Sequence, residues 1–329
     1  MARRPRRILP GRLYEVTQKT FQDRYLFLPD KTLNRLLVGV VGRAQQHYGM
    51  NTCYLTLLSN HLHGLIVADD KEQVRRFLCF VKTNMSKEIG KRFGWTDSAF
   101  GSNRVDITEV ADDPQTQLGR LRYFMEQGVK EGLVPHPTKW PGVQSATAWC
   151  TGRMRLRGIW INRSELYELE RTGRRKVTVH RKWMSRRDLK RCTVRADLEL
   201  SPLPALAHLD PKELARLART ICRDIVKENR EVIARIRPGW RQRLMARDLF
   251  AFRPDSAKQG QAPKYHAATE DEWIAWVREY DDWWSKYAKA SRRLRAGLTA
   301  ALHEFPEGGY VPLGHWGSRP AGLPPPVAA

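Results

Sequence analysis

The sequence predicts an α+β fold, a sandwich of antiparallel sheet and helices, followed by a basic and largely helical C-terminal extension. Three observations predict it. Between Gly11 and Gly132 the apolar pattern changes between strand-like and helix-like spacing in the order β-α-β-β-α-β-α. Two of the strands are separated only by Ser59-Asn60, a connection that suits an antiparallel hairpin. After Trp140-Pro141-Gly142 the composition shifts to dense arginine and lysine. This order does not match a doubly wound parallel sheet. It divides the chain into residues 1–150, a basic connecting and contact region over 151–208, and a mainly helical part over 209–329.

Residues Gly11 to Lys19 hold Leu13, Tyr14, Val16 and Thr17 in loose alternation, a first strand. Pro29-Asp30 opens a helix with Leu33, Leu36, Leu37, Val40, Val41 and Ala44 at helical spacing, and Gly49 closes it. Strands over Thr52 to Leu58 and His61 to Val67 form the hairpin. Lys71 to Phe93 reads as a helix, Val105 to Val110 as a strand, and Pro114 to Gly132 as a third helix carrying Leu118, Leu121, Tyr123, Phe124, Gln127 and Val129. Farther on, Asp210-Pro211 with Glu213 marks a capped helix start, as does Thr269 with Glu272. The helix after Thr269 bears Trp273, Trp276, Val277, Tyr280, Trp283, Trp284 and Tyr287, a stripe whose spacing favours packing over ligand binding. Arg247 to Lys264 reads as a loop, and the tail from Pro320 as fraying.

Charge narrows the function. The 329 residues include 58 Lys and Arg against 35 Asp and Glu, a formal charge of +23. Such a balance points to a polyanionic partner. No apolar run reaches the roughly 18 residues that span a bilayer, and Met-Ala-Arg-Arg-Pro-Arg-Arg lacks the apolar core of a secretory signal. Nucleic acid is therefore expected, and no membrane. The phosphate contacts are expected from Arg3, Arg4, Arg6 and Arg7 in the N-terminal arm. They are also expected from Arg153, Arg155, Arg157, Arg174, Arg175, Lys176, Arg181 and Lys182, among which Trp160, Tyr167 and Trp183 can stack on bases. The five cysteines, Cys53, Cys79, Cys150, Cys192 and Cys222, form no Cys-x-x-Cys pair. Neither a disulfide framework nor a zinc knuckle is indicated, and a reducing, cytosolic setting fits.

The chemistry centres on His61-Leu62-His63. Side chains two apart on a strand project from one face, so two imidazoles stand together. Alone, the pair reads more readily as polar residues at a strand entrance than as a metal site. Tyr123 and Gln127 add a second pair, spaced i and i+4 on a helix. The amide oxygen of Gln127 can complete a His, His, Gln set around a divalent ion, either Mg²⁺ or Mn²⁺, and Tyr123 can then attack phosphorus.

The block Ser59-Asn60-His61-Leu62-His63-Gly64-Leu65-Ile66-Val67, with Tyr123 to Gln127 and Gly132-Leu133-Val134, resembles the single-tyrosine HUH transposases, most closely the REP-associated tyrosine branch. Thr17 to Arg24, Trp140 to Ser145 and, more weakly, Phe305 to Tyr310 support the likeness, whose core covers residues 8 to 150. The resemblance implies a ferredoxin-like antiparallel sheet with the histidines on a central strand. It implies nicking and rejoining of single-stranded DNA beside imperfect palindromic hairpins, through a 5′-phosphotyrosine intermediate. It implies Tyr123 as nucleophile, His61, His63 and Gln127 as metal ligands, a monomer before a dimer, and a bacterial, cytoplasmic, nucleoid-associated location. One departure stands out: the branch carries Tyr-x-x-x-Asn-Pro where this chain has Gln127-Gly128.

Two other classes remain open on the sequence. One is a hairpin-binding nucleic-acid protein derived from a transposase but without catalysis. The other is a replication initiator or relaxase, against which stands the absence of a Gly-x-x-x-x-Gly-Lys-Ser/Thr loop. Binding through phosphates predicts that affinity for hairpin DNA falls by at least about a hundredfold between roughly 50 and 200 mM salt. Filter-binding titrations that show no salt dependence would contradict the electrostatic reading.

Overall fold

The computed structural model describes residues 5–101, 105–176, 186–251 and 265–312. Its first half runs β1 (Leu13–Lys19), α1 (Lys31–Tyr48), β2 (Asn51–Leu58), β3 (His61–Val67), α2 (Lys71–Phe93), β4 (Asp106–Val110) and α3 (Pro114–Glu126). The strands lie in the order β2-β3-β1-β4, and every neighbouring pair is antiparallel. This is the expected ferredoxin-like core, with β1 and β3 at its centre. Each of these helices starts just after an aspartate cap, of which the sequence predicts Asp30. Asp30, Asp70 and Asp113 accept hydrogen bonds from backbone N–H groups of the first turns of α1, α2 and α3, satisfying donors that a helix start leaves unpaired.

Strand register sorts the side chains into two layers. Thr17 faces His63 across β1 and β3, and Asp106 lies on the other side of Thr17 in β4, so these share one face of the sheet. Gln18 and Leu62 share the opposite face. Lys82 of α2 reaches Gln18 at 3.4 Å, which places α2 over that opposite face, and α1 packs beside it. On the histidine face Phe124 of α3 packs against His63 and Tyr54. The helix that carries Tyr123 thus covers the strand that carries the histidine pair.

The middle of the chain continues with α4 (Ala146–Thr151), β5 (Arg155–Leu156), β6 (Ile159–Ile161), α5 (Arg163–Lys176), α6 (Arg186–Arg191), β7 (Thr193–Arg195) and β8 (Leu198–Glu199). Residue 150 falls inside α4, where Trp149 is fully buried and its indole N–H donates to the Cys53 carbonyl at 3.0 Å. Strands β5 and β8 pair, as do β6 and β7, and both small ribbons lie against α1. The approach is backbone to backbone. A β-carbon on Gly39 would sit 1.8 Å from the Ile159 carbonyl oxygen, and one on Gly42 2.4 Å from that of Asp197. The basic middle is docked on the core by contacts that only glycine permits.

The last part holds α7 (Pro211–Glu228), α8 (Arg230–Ala234), α9 (Trp240–Met245), β9 (Tyr265–His266) and α10 (Glu270–Arg295). The capping box is present at Asp210 and Glu213, and Thr269 accepts from the Glu272 N–H. Helix α7 packs on α3 and α4, bringing the Cys222 sulfur within 3.5 Å of that of Cys150 although both thiols are free. Strand β9 joins β4 in parallel and makes the sheet five-stranded and mixed, where the sequence predicts a purely antiparallel one. Two residues carry no periodicity that could announce such a strand.

The aromatic stripe of α10 is packing, as expected. Trp276, Tyr280, Trp283 and Tyr287 are buried and stack in succession at 4.9, 5.4 and 5.4 Å. Trp273 is the exception and stays half exposed. The stripe closes over the N-terminal arm: the Trp276 indole donates to Glu109 at 3.1 Å and the Tyr280 hydroxyl to the Pro5 carbonyl at 2.7 Å. Arg7 lies between Glu109 and Glu279, at 3.5 and 2.7 Å, with its side chain 3% exposed. The expectation that Arg7 contacts DNA is therefore corrected. Its charge is neutralised by two carboxylates, and it ties the first residues to the last long helix. Among the described residues no helix is long and apolar enough to cross a membrane.

Replacing Gly39 by alanine should lower stability by about 3 kcal/mol, because backbone must move to admit the methyl group. Urea unfolding measures this, and a midpoint equal to that of the natural chain would refute the close docking of β6 on α1.

Candidate active site

The site begins at the tight turn between β2 and β3. His61 and His63 open β3 and project to one face, and their rings stand 4.6 Å apart and perpendicular. Each is held at Nδ1. That of His61 lies 2.7 Å from the Asn60 side-chain oxygen, and that of His63 lies 3.0 Å from the Thr17 hydroxyl. An Asn oxygen can only accept, so His61 carries its proton on Nδ1 and leaves Nε2 with a lone pair. The Thr17 hydroxyl can donate or accept, and His63 has the same arrangement when Nδ1 carries its proton. Burial pushes the His61 pKa down to about 4, aided by the nearby charges of Lys19 and Lys130. Burial also holds His63 well below the usual histidine range, with further lowering from His61, Arg120 and Lys130. Both rings are neutral at physiological pH.

Tyr123 sits in the last turn of α3, its ring centre 6.3 Å from that of His63. Leu121, Phe124 and Met125 are buried on the core side of that helix, leaving Tyr123 half buried at the rim. The expected helix runs to Gly132, but α3 ends at Glu126 and Gln127 is extended at φ −53°, ψ 134°. The same-face argument for Tyr123 and Gln127 therefore does not hold as stated. Gln127 nevertheless turns back, and its amide N–H₂ donates to the Tyr123 carbonyl at 3.3 Å. That bond satisfies a carbonyl freed by the helix end and leaves the amide oxygen of Gln127 free to accept. Gln127 is buried.

The turn after Gln127 explains the departure from Asn-Pro. Gly128 has φ +83°, and its carbonyl receives the N–H groups of Leu133 and Val134 at 2.8 and 3.1 Å. Proline is locked near −65° and cannot take this conformation. Glutamine with glycine is thus a matched pair for a sharper exit from the helix.

The donor set suits a divalent ion. Two neutral imidazoles anchored at Nδ1 by a hydroxyl and an amide, plus one neutral amide oxygen, suit Mn²⁺ better than Mg²⁺, which prefers oxygen ligands throughout. Among the described residues no three His, Cys, Asp or Glu side chains cluster to hold a metal, so no carboxylate joins the set. The neighbours are cationic. The Arg120 guanidinium lies 4.2 Å and the Lys130 ammonium 4.1 Å from the Tyr123 ring centre. Arg120 is held by Glu15 at 2.6 Å, and Glu15 also meets His266 of β9 at 3.0 Å.

Sequence reasoning missed Thr17, Glu15, Arg120, Lys130 and His266 as parts of this site. Arg120 was findable, since it lies three residues before Tyr123 on the same helix face. His266 carries no local signal, because only the parallel pairing of β9 brings it there. The expected DNA-contacting residues are scattered. Arg153, Arg155 and Arg157 are exposed near the ribbons on α1, on the sheet face away from Tyr123, and Arg155 pairs with Asp197 and Glu199 at 3.6 and 3.8 Å. Arg174, Arg175 and Lys176 end α5, with side chains outside the described residues, as are Arg3, Arg4, Arg181 and Lys182 altogether. Arg6 lines a cavity of about 1070 Å³ beside α2, shared with Arg75, Lys82, Lys87 and Lys91.

No protein-family model matches the chain, and no curated protein matches it in sequence. Among solved structures, it is similar to a REP-associated tyrosine transposase bound to a REP hairpin. Identity is 16%, the TM-score is 0.35, and the match covers 44% of this chain and 82% of that one. It is also similar to a putative transposase from Deinococcus radiodurans R1, at 14% identity and a TM-score of 0.27, over 36% of this chain and 95% of that one. The fold itself rests on the chain's own strand order.

The Gly128 conformation gives a direct test. Gly128→Pro should cost more than about 1 kcal/mol, since the native φ is closed to proline. An unchanged urea midpoint would contradict the turn described here.

Proposed function

We propose that the chain is a transposase that nicks single-stranded DNA beside imperfect palindromic hairpins and rejoins it, using Tyr123 as nucleophile. One observation carries the reading. A tyrosine from α3 and two neutral histidines from β3, some sixty residues earlier, meet on one sheet face. Tyr123 packs at the edge of the core while its ring stands beside that of His63.

His61, His63 and Gln127 would hold Mg²⁺ or Mn²⁺. When bound, the ion supplies Lewis-acid neutralisation of a non-bridging phosphate oxygen. The chain's own residues do the rest. Asn60 fixes the tautomer of His61, and the Thr17 hydroxyl anchors Nδ1 of His63. The Gln127 bond to the Tyr123 carbonyl fixes the end of α3 from which the phenol projects. The Tyr123 oxygen forms a bond to phosphorus while the bond from phosphorus to the 3′ oxygen breaks. The phenolic proton passes through solvent to the departing 3′ oxygen, leaving a 5′-phosphotyrosine and a free 3′-OH. A 3′-OH from another strand reverses the step, so joining needs no external energy. The enzyme acts as a monomer in this reading.

A second reading, a hairpin-binding protein without catalysis, has one observation in its favour. Lys19, Arg120 and Lys130 all depress the histidines electrostatically, a field that opposes a lone divalent ion. The nickase reading answers it by having ion and phosphate bind together.

Incubation with hairpin-bearing single-stranded DNA from the gene's own flanks and Mg²⁺ or Mn²⁺ should give a covalent protein–DNA adduct. Tyr123→Phe should reduce it below about a thousandth of the natural rate while retaining hairpin binding. An adduct formed at the natural rate by Tyr123→Phe would reject this nucleophile. Hairpin binding without any adduct would favour the second reading.

A further inference from the structure

We propose that Arg120 and Lys130 form a subsite for phosphodiester oxygens beside Tyr123, and that the C-terminal part of the chain braces it through His266 and Glu15. The inference rests on the reading of Tyr123 as nucleophile and adds the residues that seat the phosphate.

The geometry has three parts. First, two cations converge on one aromatic ring, Arg120 at 4.2 Å and Lys130 at 4.1 Å from its centre. Each loses part of its hydration there, and like charges gathered this way are stabilised by an anion between them. Second, Arg120 is only partly used by the protein. One terminal nitrogen meets Glu15 at 2.6 Å, yet its Nε–H is buried without a hydrogen-bond partner among the described residues. The planar fork of a guanidinium matches the paired non-bridging oxygens of a phosphodiester, which a lysine alone cannot match. Third, Glu15 is held from both sides. Its Oε2 lies 2.6 Å from a terminal nitrogen of Arg120 and 3.0 Å from Nε2 of His266, ion-pair contacts that leave this oxygen without a hydrogen-bond partner among the described residues. His266 reaches it only because β9 pairs in parallel with β4 beyond Glu109 and Val110.

Two cations, Arg120 and Lys130, stand over the Tyr123 ring, with Glu15 facing the first and Glu131 near the second. A structural salt bridge would need only Arg120 and Glu15. The second cation on the same ring has no place in that account.

The brace gives the long C-terminal part a role distinct from gripping a hairpin stem. Residues 265–295 carry His266 to the site, and α10 locks that strand down through the stack of Tyr265 on Trp276 at 5.0 Å. His266 acts through Glu15 and is a positioning residue.

The test reads binding alone, in the full-length Tyr123→Phe chain, so that no covalent step enters. Affinity for a short single-stranded oligonucleotide is measured by fluorescence anisotropy across a salt series. Arg120→Ala and Lys130→Gln should each lower the slope of log K against log salt by about 0.7, and together by about 1.4, one phosphate contact apiece. Arg120→Lys keeps the charge and should keep the slope while losing affinity several-fold. His266→Ala should weaken binding several-fold with the slope unchanged, and His266→Gln, which can still donate to Glu15, should restore it. Slopes equal to the parent in both Arg120→Ala and Lys130→Gln would overturn the subsite. Should Arg120→Ala fail to fold, the slope of Lys130→Gln and the affinity of Arg120→Lys decide the matter, since parental values in both reject it. Failure here leaves adduct formation by the natural chain intact, whereas lowered slopes without any adduct would reject the nuclease reading and keep the subsite.

Discussion

Everything at the site depends on the register of β1 against β3. Thr17 must lie opposite His63, and Lys19 opposite His61, for the imidazoles to face α3. A slip of one residue would send both histidines into the layer under α1 and α2 and bring Leu62 toward Tyr123. The short Ser59-Asn60 turn sets one side of this register, and the β1 pairing to β4 sets the other. The Thr17 hydroxyl then does two things. It marks the register and holds Nδ1 of His63.

From that constraint the electrostatics follow. The histidines are buried, hence neutral, and neutrality is what a ligand pair requires. Arg120, Lys130 and Lys19 surround them with positive charge, while acidic groups at the site are committed to holding cations in place. Such a field opposes a lone cation and favours an anion beside it. The cavity lined by Arg6, Arg75 and Lys82 lies on the opposite sheet face, so the two basic surfaces serve separate stretches of a polyanion if both are used.

Much of the core was legible in sequence because its signals are local. Aspartate caps, glycine stops and the hairpin turn placed α1, α2, β2 and β3 to within a residue or two. The His61 and His63 pair follows from strand alternation alone. Where the reading failed, the cause was tertiary. Helix α3 stops early because Gly128 takes a positive φ and the chain doubles back, so Gln127 reaches its neighbour from outside the helix. Arg7 looked like a phosphate contact by composition, but two carboxylates and an indole from distant elements enclose it. Strand β9 is two residues long, and its value lies wholly in where β4 allows it to pair. Short elements whose only partners are remote leave no periodicity to read.

The central claim is that the phenol of Tyr123 attacks phosphorus. Its most direct measurement is peptide mass spectrometry on the natural chain after reaction with hairpin DNA and Mg²⁺ or Mn²⁺, followed by nuclease and protease digestion. The account predicts a peptide containing Tyr123 that carries a 5′-linked nucleotide on the phenol oxygen. A nucleotide found on another tyrosine, or on a serine, would contradict it.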